Sequence, residues 1–501
     1  MIRRLLIANR GEIALRIIRA CRELEIESVA VYSDADARAP HVLAADRAER
    51  VGASPASESY LNSSALIDAA RRAGADAVHP GYGFLSERAT FSRACQDAGL
   101  IFVGPPPSAL ERMGLKIAAR RLMQDAGVPI VPGESPSDQS DGALEASARS
   151  VGFPVLIKPS AGGGGIGMKT VRDPNDLLDA IQRARREARA AFGDDTLYVE
   201  RLIERPRHVE IQILADAHGG VVHLFERECS IQRRHQKAIE ESPCLVLTPA
   251  VRKRMGEAAV AAARAAGYVN AGTIEFLLEG RGDAARFYFL EMNARLQVEH
   301  PVTEAVVGVD LVHAQLRIAS GERLPWRQDD LGQRGHAIEC RIYAEDPAQD
   351  FLPQAGPLLM YREPQGPGIR VDAGVVEGGE VSVFYDPLLA KLIVWAETRD
   401  RAIARAEAAL KRFVVLGIRT NIGFLQAILG HPRFNAGDLD TSFLDQERAA
   451  LERLLPPSEL PPAALAAAVF HATNSVATLH GEGHAKALID PFDVLKGWGS
   501  S

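Results

Sequence analysis

LIKPSAGGGGIGMKTV, Leu156 to Val171, sets four consecutive glycines and a fifth, Gly167, inside one short stretch. Glycine loses more backbone freedom on folding than any other residue, so an ordered run of this kind marks a backbone that something must approach closely. Gly162 to Gly167 satisfies G-x-G-x-x-G, the fingerprint of a dinucleotide fold when the glycines open a helix. Here FPVLIKPS before the run and MKTV after it both read as strands, so the loop tips a hairpin, the form of a flap that closes over phosphates. A P-loop is excluded as well, because Met168, not a Lys-Ser/Thr pair, directly follows Gly167. Lys158, just before the loop, and Lys116 upstream offer positive charge for a triphosphate.

The chain has 501 residues, 47% hydrophobic and 25% charged, enough for several domains with large cores. A formal charge of -7 argues against a general nucleic-acid partner. Cys21, Cys95, Cys229, Cys244 and Cys340 are scattered without a CxxC pair, which predicts a reduced, cytoplasmic protein with no cysteine metal site. The apolar run in MIRRLLIANRG is too short for a signal core or a membrane span and reads as a first strand.

Residues 1–103 alternate strand and helix, which predicts a parallel, Rossmann-like α/β domain. Residues 104–131 read as a helical linker, with one helix over 108–127. Residues 132–203 hold the glycine loop, an arginine-rich helix over 175–192 and the strand LYVERLI, a candidate lid. Residues 204–446 read as a mixed, largely antiparallel α+β domain, and 447–501 as a tail with a proline-rich joint and a short Ala-rich helix. The fold class is therefore α/β and α+β multidomain.

EMNARLQVEH, Glu291 to His300, carries the densest chemical signal. Read as a strand, it sends Glu291, Asn293, Arg295, Gln297 and Glu299 to one face and Met292, Ala294, Leu296 and Val298 to the other. GTIEFLLE and RFYFLEMN are separated by a short turn, so Glu275 and Glu291 fall on neighbouring strands about 5 Å apart, a spacing that suits two carboxylates and Asn293 around Mg²⁺. ERECSIQRRHQKAIEESP (226–243) lacks clean periodicity and reads as a basic loop bearing Arg227, Arg233, Arg234, His235 and Lys237, placed to hold an anion. His208 shares a polar strand face with Glu210 and Gln212. Arg341 lies in a strand-like run, where an arginine is ordinarily an ion-pair partner.

IANRGEIALRIIRAC, HPGYGFLSE, GGGGIGM, RHVEIQ, QRRHQK, EMNARLQVEHPVTE, GHAIECRIYAED and YDPLLAKLI occur in the order and spacing of biotin carboxylases, which this chain resembles over residues 1–446. The resemblance implies an ATP-grasp fold with a pre-ATP-grasp N-terminal domain, a mobile B-domain lid over 132–203 and a C-terminal mixed-sheet domain. It implies that ATP is held by Lys116, Lys158, Gly163, Gly164, Gly165, Gly167, Met168, His208, Gln232 and His235. Glu200, Arg201, Leu202, Ile203 and Leu277 would surround the adenine. Glu275, Glu291 and Asn293 would be Mg²⁺ or Mn²⁺ ligands. Lys237, Arg295, Gln297 and Val298 would form the bicarbonate pocket, with Glu299 as general base and Tyr82 and Arg341 at the biotin site.

The activity implied is ATP- and bicarbonate-dependent carboxylation of biotin on a carrier protein, through carboxyphosphate, as the first half-reaction of an acyl-CoA carboxylase. The implied partners are a biotin carboxyl carrier domain and a carboxyltransferase subunit. Arg16, Arg19 and Glu23 match a helix used for dimerisation, so a homodimer or larger complex is expected, with no nucleic acid or membrane partner. Ile166 departs from the Arg or Lys usual at its position, and no AMKM biotinylation motif is present. The alternatives are a urea-carboxylase-like system or another ATP-grasp carboxylate ligase.

Overall fold

The computed structural model describes residues 1–161, 165–234 and 236–455. Gly163, Gly164 and His235, and the expected Ala-rich helix of the tail, lie outside the described residues. The first strand expected at the N-terminus is β1 (Arg4–Ile7), whose Leu5, Leu6 and Ile7 are fully buried. It joins β2 (Glu27–Ser33), β3 (Arg47–Gly52), β4 (Ala77–His79) and β5 (Ile101–Phe102) in a parallel sheet of order β3-β2-β1-β4-β5. Asn9 to Glu12, at the carboxyl end of β1, border the main cleft, the usual ligand side of an open parallel sheet.

The single helix expected over 108–127 is instead two, Pro107–Gly114 and Lys116–Asp125, broken where Leu115 takes an extended backbone after Gly114. Lys116 thereby opens the second helix, and its N–H donates to the Ser160 carbonyl at the end of the strand before the glycine loop. That strand, β7 (Val155–Pro159), lies in a four-stranded sheet with β6 (Gly133–Glu134), β8 (Lys169–Val171) and β9 (Leu197–Arg201), in the order β6-β9-β7-β8. Antiparallel pairing of Val155 with Val171 and Ile157 with Lys169 makes the glycine loop a hairpin connection. Helix Leu177–Phe192 covers this sheet with Ile181, Ala184 and Ala188.

The remaining site residues stand on one antiparallel eight-stranded sheet. It comprises β10 (Arg207–Ala215), β11 (Val221–Arg233), β12 (Gln236–Ser242), β13 (Asn270–Glu279), β14 (Arg286–Asn293), β15 (His336–Tyr343) and the strands Ile369–Ala373 and Leu388–Ala396. The order is β14-β13-β10-β11-β12-β15, then Leu388–Ala396, then Ile369–Ala373. Val209, Ile211, Ile274 and Phe276 pack with Met255 and Ala259 of helix Pro249–Ala266 on one face. Helix His300–Val307 lies on the other, where Val302 and Val306 pack on Ala337.

The segment 226–243 is not a loop. It is the hairpin of β11 and β12, and its buried charges hide the strand alternation. Helix Arg448–Leu454, within the stretch assigned to the tail, has Leu451 fully buried. The five cysteines are free and buried, and among the described residues no helix is long and apolar enough to cross a membrane.

Candidate active site

Strand register builds the site. Glu291 on β14 pairs with Glu275 on β13, Glu275 with Glu210 on β10, and Glu210 with Arg227 on β11. One rung of the sheet thus carries three carboxylates and a guanidinium. A bulge at Leu290 sits in the first of these pairings, because Phe289 pairs with Phe276 while Glu291 pairs with Glu275. Upstream of Leu290, Phe287 and Phe289 face the core; downstream, Met292 and Ala294 do. The facing of the strand changes parity at this residue, which is how the carboxylates at 275 and 291 reach the same side.

β14 ends at Asn293, so the strand read through Glu299 is shorter than expected, and Glu299 instead caps helix His300–Val307. Main-chain and ion-pair contacts replace the ladder beyond Asn293. Glu87 accepts from the Ala294 N–H at 2.8 Å and from Arg295 Nε at 2.9 Å. Arg295 also donates to Gln297 Oε1 at 2.9 Å and to Asn293 Oδ1 at 3.1 Å. Lys391 Nζ donates to the Val298 carbonyl at 2.8 Å and pairs with Glu12 at 3.1 Å.

Lys237 on β12 joins the two halves of the site. Its Nζ donates to Glu210 at 2.5 Å, Glu275 at 2.9 Å and Glu299 at 2.6 Å. Burial opposes the charge on Lys237, but the three carboxylates outweigh it and hold its pKa well above the ordinary value. Burial likewise opposes ionisation of Glu299, yet Lys237, Arg341 and Arg227 hold its carboxyl well below the usual range. The two oxygens of Glu299 have separate partners, Oε1 on Lys237 and Oε2 on Arg341 Nη2 at 2.9 Å. His208 Nε2 lies 3.2 Å from Glu275 Oε2 without hydrogen-bond alignment, a charge contact that raises its pKa against burial.

Glu291 contrasts with these. Among the described residues nothing donates a hydrogen bond to its carboxylate, and burial together with the Glu275 charge pushes its carboxyl up. Glu275 is paired with Lys237, but Glu291 is not, and the two facing carboxylates with the side-chain amide of Asn293, which donates to Glu275 at 2.7 Å, offer oxygen ligands for a cation. Such a set fits Mg²⁺ or Mn²⁺ held also by phosphates. Arg227, wholly buried, fixes the opposite flank through Glu210 at 2.6 Å, Gln212 at 2.8 Å and Thr303 at 2.9 Å.

A cleft of about 900 Å³ gathers most of the residues named from the sequence. Tyr82, Lys116, Lys158, Gly165, Met168, Glu200, Arg201, Leu202, Ile203, His208 and Gln232 line it, with Lys237, Glu275, Leu277, Glu291, Asn293, Arg295, Gln297, Val298 and Arg341. Glu299 lies beneath its floor, fully buried. Gly167 does not line it: a Cβ there would meet Pro159 at 3.1 Å and the Ala184 carbonyl at 3.6 Å, so this glycine permits close packing at φ +76°. Lys158 is paired with Glu200 at 3.1 Å, which also holds Arg120. Lys116 has its pKa lowered by burial and by Lys158. Val131 and Ile203, with Leu277 against them, make an apolar slot at the cleft's end. The Tyr82 hydroxyl donates to Glu12.

Sequence reasoning gave no role to Glu12, Glu87, Glu240, Glu339 or Lys391. All but Glu240 stand inside the stretches that carry the resemblance, and the burial of Glu12, Glu240, Glu339 and Lys391 and the reach of the exposed Glu87 to Ala294 and Arg295 are visible only in three dimensions.

Three family models cover most of the chain. Residues 1–110 match the biotin carboxylase N-terminal domain, 116–327 the carbamoyl-phosphate synthase L chain ATP-binding domain and 339–446 the biotin carboxylase C-terminal domain. A biotin carboxylase of Halalkalibacterium halodurans is 51% identical over 444 residues, covering 89% of this chain and 97% of that one. The α subunit of rice mitochondrial methylcrotonoyl-CoA carboxylase is 53% identical over 446 residues, 89% of this chain but 60% of that one, so the chain spans well under two thirds of that relative. The biotin carboxylase domain of Hydrogenobacter thermophilus 2-oxoglutarate carboxylase, solved as a dimer with MgADP and bicarbonate, superposes with a TM-score of 0.86 at 44% identity, covering 92% of this chain and all of that one. Taken with the glycine hairpin over a charged antiparallel sheet, this likeness along nearly the whole described length means that the chain belongs to the biotin carboxylases, ATP-dependent ligases of the ATP-grasp fold.

Proposed function

We propose that this cleft carboxylates biotin on a carrier protein with ATP and bicarbonate, as the first half-reaction of an acyl-CoA carboxylase. The supporting observation is Glu299, a carboxylate kept ionised between two cations that belong to two different steps. On the Lys237 side, Glu299 accepts the bicarbonate proton as its oxygen attacks the ATP γ-phosphoryl; ADP leaves and carboxyphosphate forms. On the Arg341 side, carboxyphosphate releases CO₂, the phosphate formed removes the biotin N1 proton, and Arg341 stabilises the resulting enolate as it attacks CO₂.

Lys237, Arg295, Gln297 and Val298 hold bicarbonate, and Tyr82 borders the biotin. Lys116, Lys158, Gly163, Gly164, Gly165, Met168, His208, Gln232 and His235 hold the nucleotide, and Leu277 with Glu200 to Ile203 surrounds its adenine. Glu275, Glu291 and Asn293 hold the metal, which when bound neutralises charge on the transferring phosphoryl group. We place the protein in the cytoplasm as a homodimer working with a carrier domain and a carboxyltransferase. Arg19 and Glu23 are about half exposed on the expected interface helix, whereas Arg16 is turned inward onto Glu304 and Asp310.

The test is ADP release and carboxybiotin formation with free biotin. Release that depends on bicarbonate and yields carboxybiotin supports the reading. Carbamoyl phosphate or another acyl phosphate as the product would replace it.

A further inference from the structure

Behind Arg341 lies a carboxyl pair that the reaction does not use. β12 and β15 pair Glu240 with Glu339, and both side chains are fully buried. Arg341, two residues on from Glu339, shares its face of β15. Glu240 Oε1 accepts from Arg341 Nε at 2.5 Å, but Glu240 Oε2 and both oxygens of Glu339 have no hydrogen-bond partner.

The charged groups facing the pair leave Glu339 without a donor. Arg341 holds Glu240 and Glu299, and Lys391, its neighbour on Leu388–Ala396, holds the Val298 carbonyl and Glu12. On helix His300–Val307, packed against this face, His300 turns Nδ1 to the Gln297 carbonyl and is kept neutral by burial. Arg399 and His336 serve Glu241 on the opposite face of β12. An ionised Glu339 would therefore be a buried charge with no donor, which proteins avoid by taking up a proton.

We propose that Glu339 carries a proton at neutral pH and donates it in a hydrogen bond to Glu240, forming a singly charged acid pair that positions the Arg341 guanidinium. Cross-strand partners have Cβ atoms about 5 Å apart, within carboxyl-to-carboxyl reach. Burial pushes Glu339 well above the ordinary carboxyl value and Glu240 up to about 7, in the same direction. Glu339 keeps the proton because Glu240 already has the Arg341 N–H. The neutral member supplies a donor without adding a further negative charge beside Arg341, whose positive charge stays available to the substrate.

Difference infrared spectroscopy of the full chain at neutral pH reads the proton directly. Wild type minus Glu339→Gln is expected to show a protonated-carboxyl C=O band that the variant lacks; changes in carboxylate bands alone overturn the proposal. A kinetic arm rests on the biotin carboxylase reading. Glu339→Gln, whose amide N–H replaces the O–H, keeps kcat for biotin carboxylation within about threefold, whereas Glu339→Leu loses roughly 10- to 100-fold. Bicarbonate-dependent ADP release without biotin stays within about threefold in both, as expected of a group acting through Arg341. Equal loss in Gln and Leu, or full activity in Leu, refutes the positioning role. If the Leu variant fails to fold, the spectrum and rate of the Gln variant still decide. A wild type that shows the infrared band but no biotin-dependent turnover would remove the functional reading and leave the acid pair standing.

Discussion

Replacing Arg341 by Ala separates the two halves of the proposed reaction. The side chain meets Glu240 through Nε and Glu299 through Nη2, while Lys237 holds the other oxygen of Glu299 at 2.6 Å. Losing one contact pair costs about 4 kcal/mol of charge interaction at an effective dielectric of about 20 and a separation of about 4 Å, while Lys237 and Arg227 still favour the ionised carboxyl. Because that carboxyl starts well below its ordinary value of 4.5, it remains largely ionised near neutral pH. Arg341→Ala is therefore expected to keep bicarbonate-dependent ATP hydrolysis. Biotin carboxylation, which loses the enolate stabiliser, should fall by about 10²–10³. Glu299→Ala should lose both activities. ADP release and carboxybiotin formation are followed side by side for the two variants. Parallel loss of both activities in Arg341→Ala, or retained hydrolysis in Glu299→Ala, refutes the division of labour.

Three further outcomes follow from the geometry. Glu291→Gln removes half of the facing carboxylate pair and should abolish turnover at saturating ATP, with a Mg²⁺ or Mn²⁺ titration failing to restore it; ordinary activity at ordinary Mg²⁺ would sink the ligand assignment. Gly165, at φ +77°, should tolerate Val poorly, whereas Ile166→Arg should leave kcat within a few fold and change mainly the apparent ATP affinity, so equal tolerance in steady-state kinetics counts against phosphate contact by the loop backbone. His79 is buried and neutral, with Nδ1 accepting the Gly81 N–H and Nε2 facing Gln315, and burial lowers its pKa to about 4 from 6.5. A folded value below the unfolded one means that the unfolded chain binds the extra proton first, so stability is lost as pH falls from about 6.5 towards 4, by about 3 kcal/mol for this group. Urea midpoints for wild type and His79→Gln should converge across that window, and parallel curves would refute the argument.

Much of this site was legible before any coordinates. The hairpin reading of the glycine loop came from strand-like flanks on both sides, and the facing of Glu275 and Glu291 came from a short turn between two alternating segments. Where the sequence misled, buried charge was the cause. Arg227, Glu228 and Glu240 interrupt the apolar alternation of β11 and β12, so two strands read as a basic loop. EMNARLQVEH alternates perfectly on paper, yet a hydrogen bond to Glu87 and another from Lys391 shape the chain after Asn293, and neither partner is near in sequence. The break at Leu115 was equally hidden, because the pull of Ser160 on Lys116 is a tertiary contact.

The bulge at Leu290 bears on how this family's sequences can drift. β14 is two ladders of opposite parity spliced at one residue: the part before Leu290 points odd-numbered phenylalanines at the core, and the part after it points the odd-numbered Glu291 and Asn293 at the cleft. Loss of a residue between Phe287 and Phe289, or between Glu291 and Asn293, would turn one of those sets to the wrong side of the sheet. Removing Leu290 itself would leave Phe289 opposite Phe276 and Glu291 opposite Glu275 in an unbroken ladder, forfeiting only the local twist. Evolutionary gaps within the paired part of β14 should accordingly favour that position, and a natural chain that lacks it would show what aiming the bulge contributes.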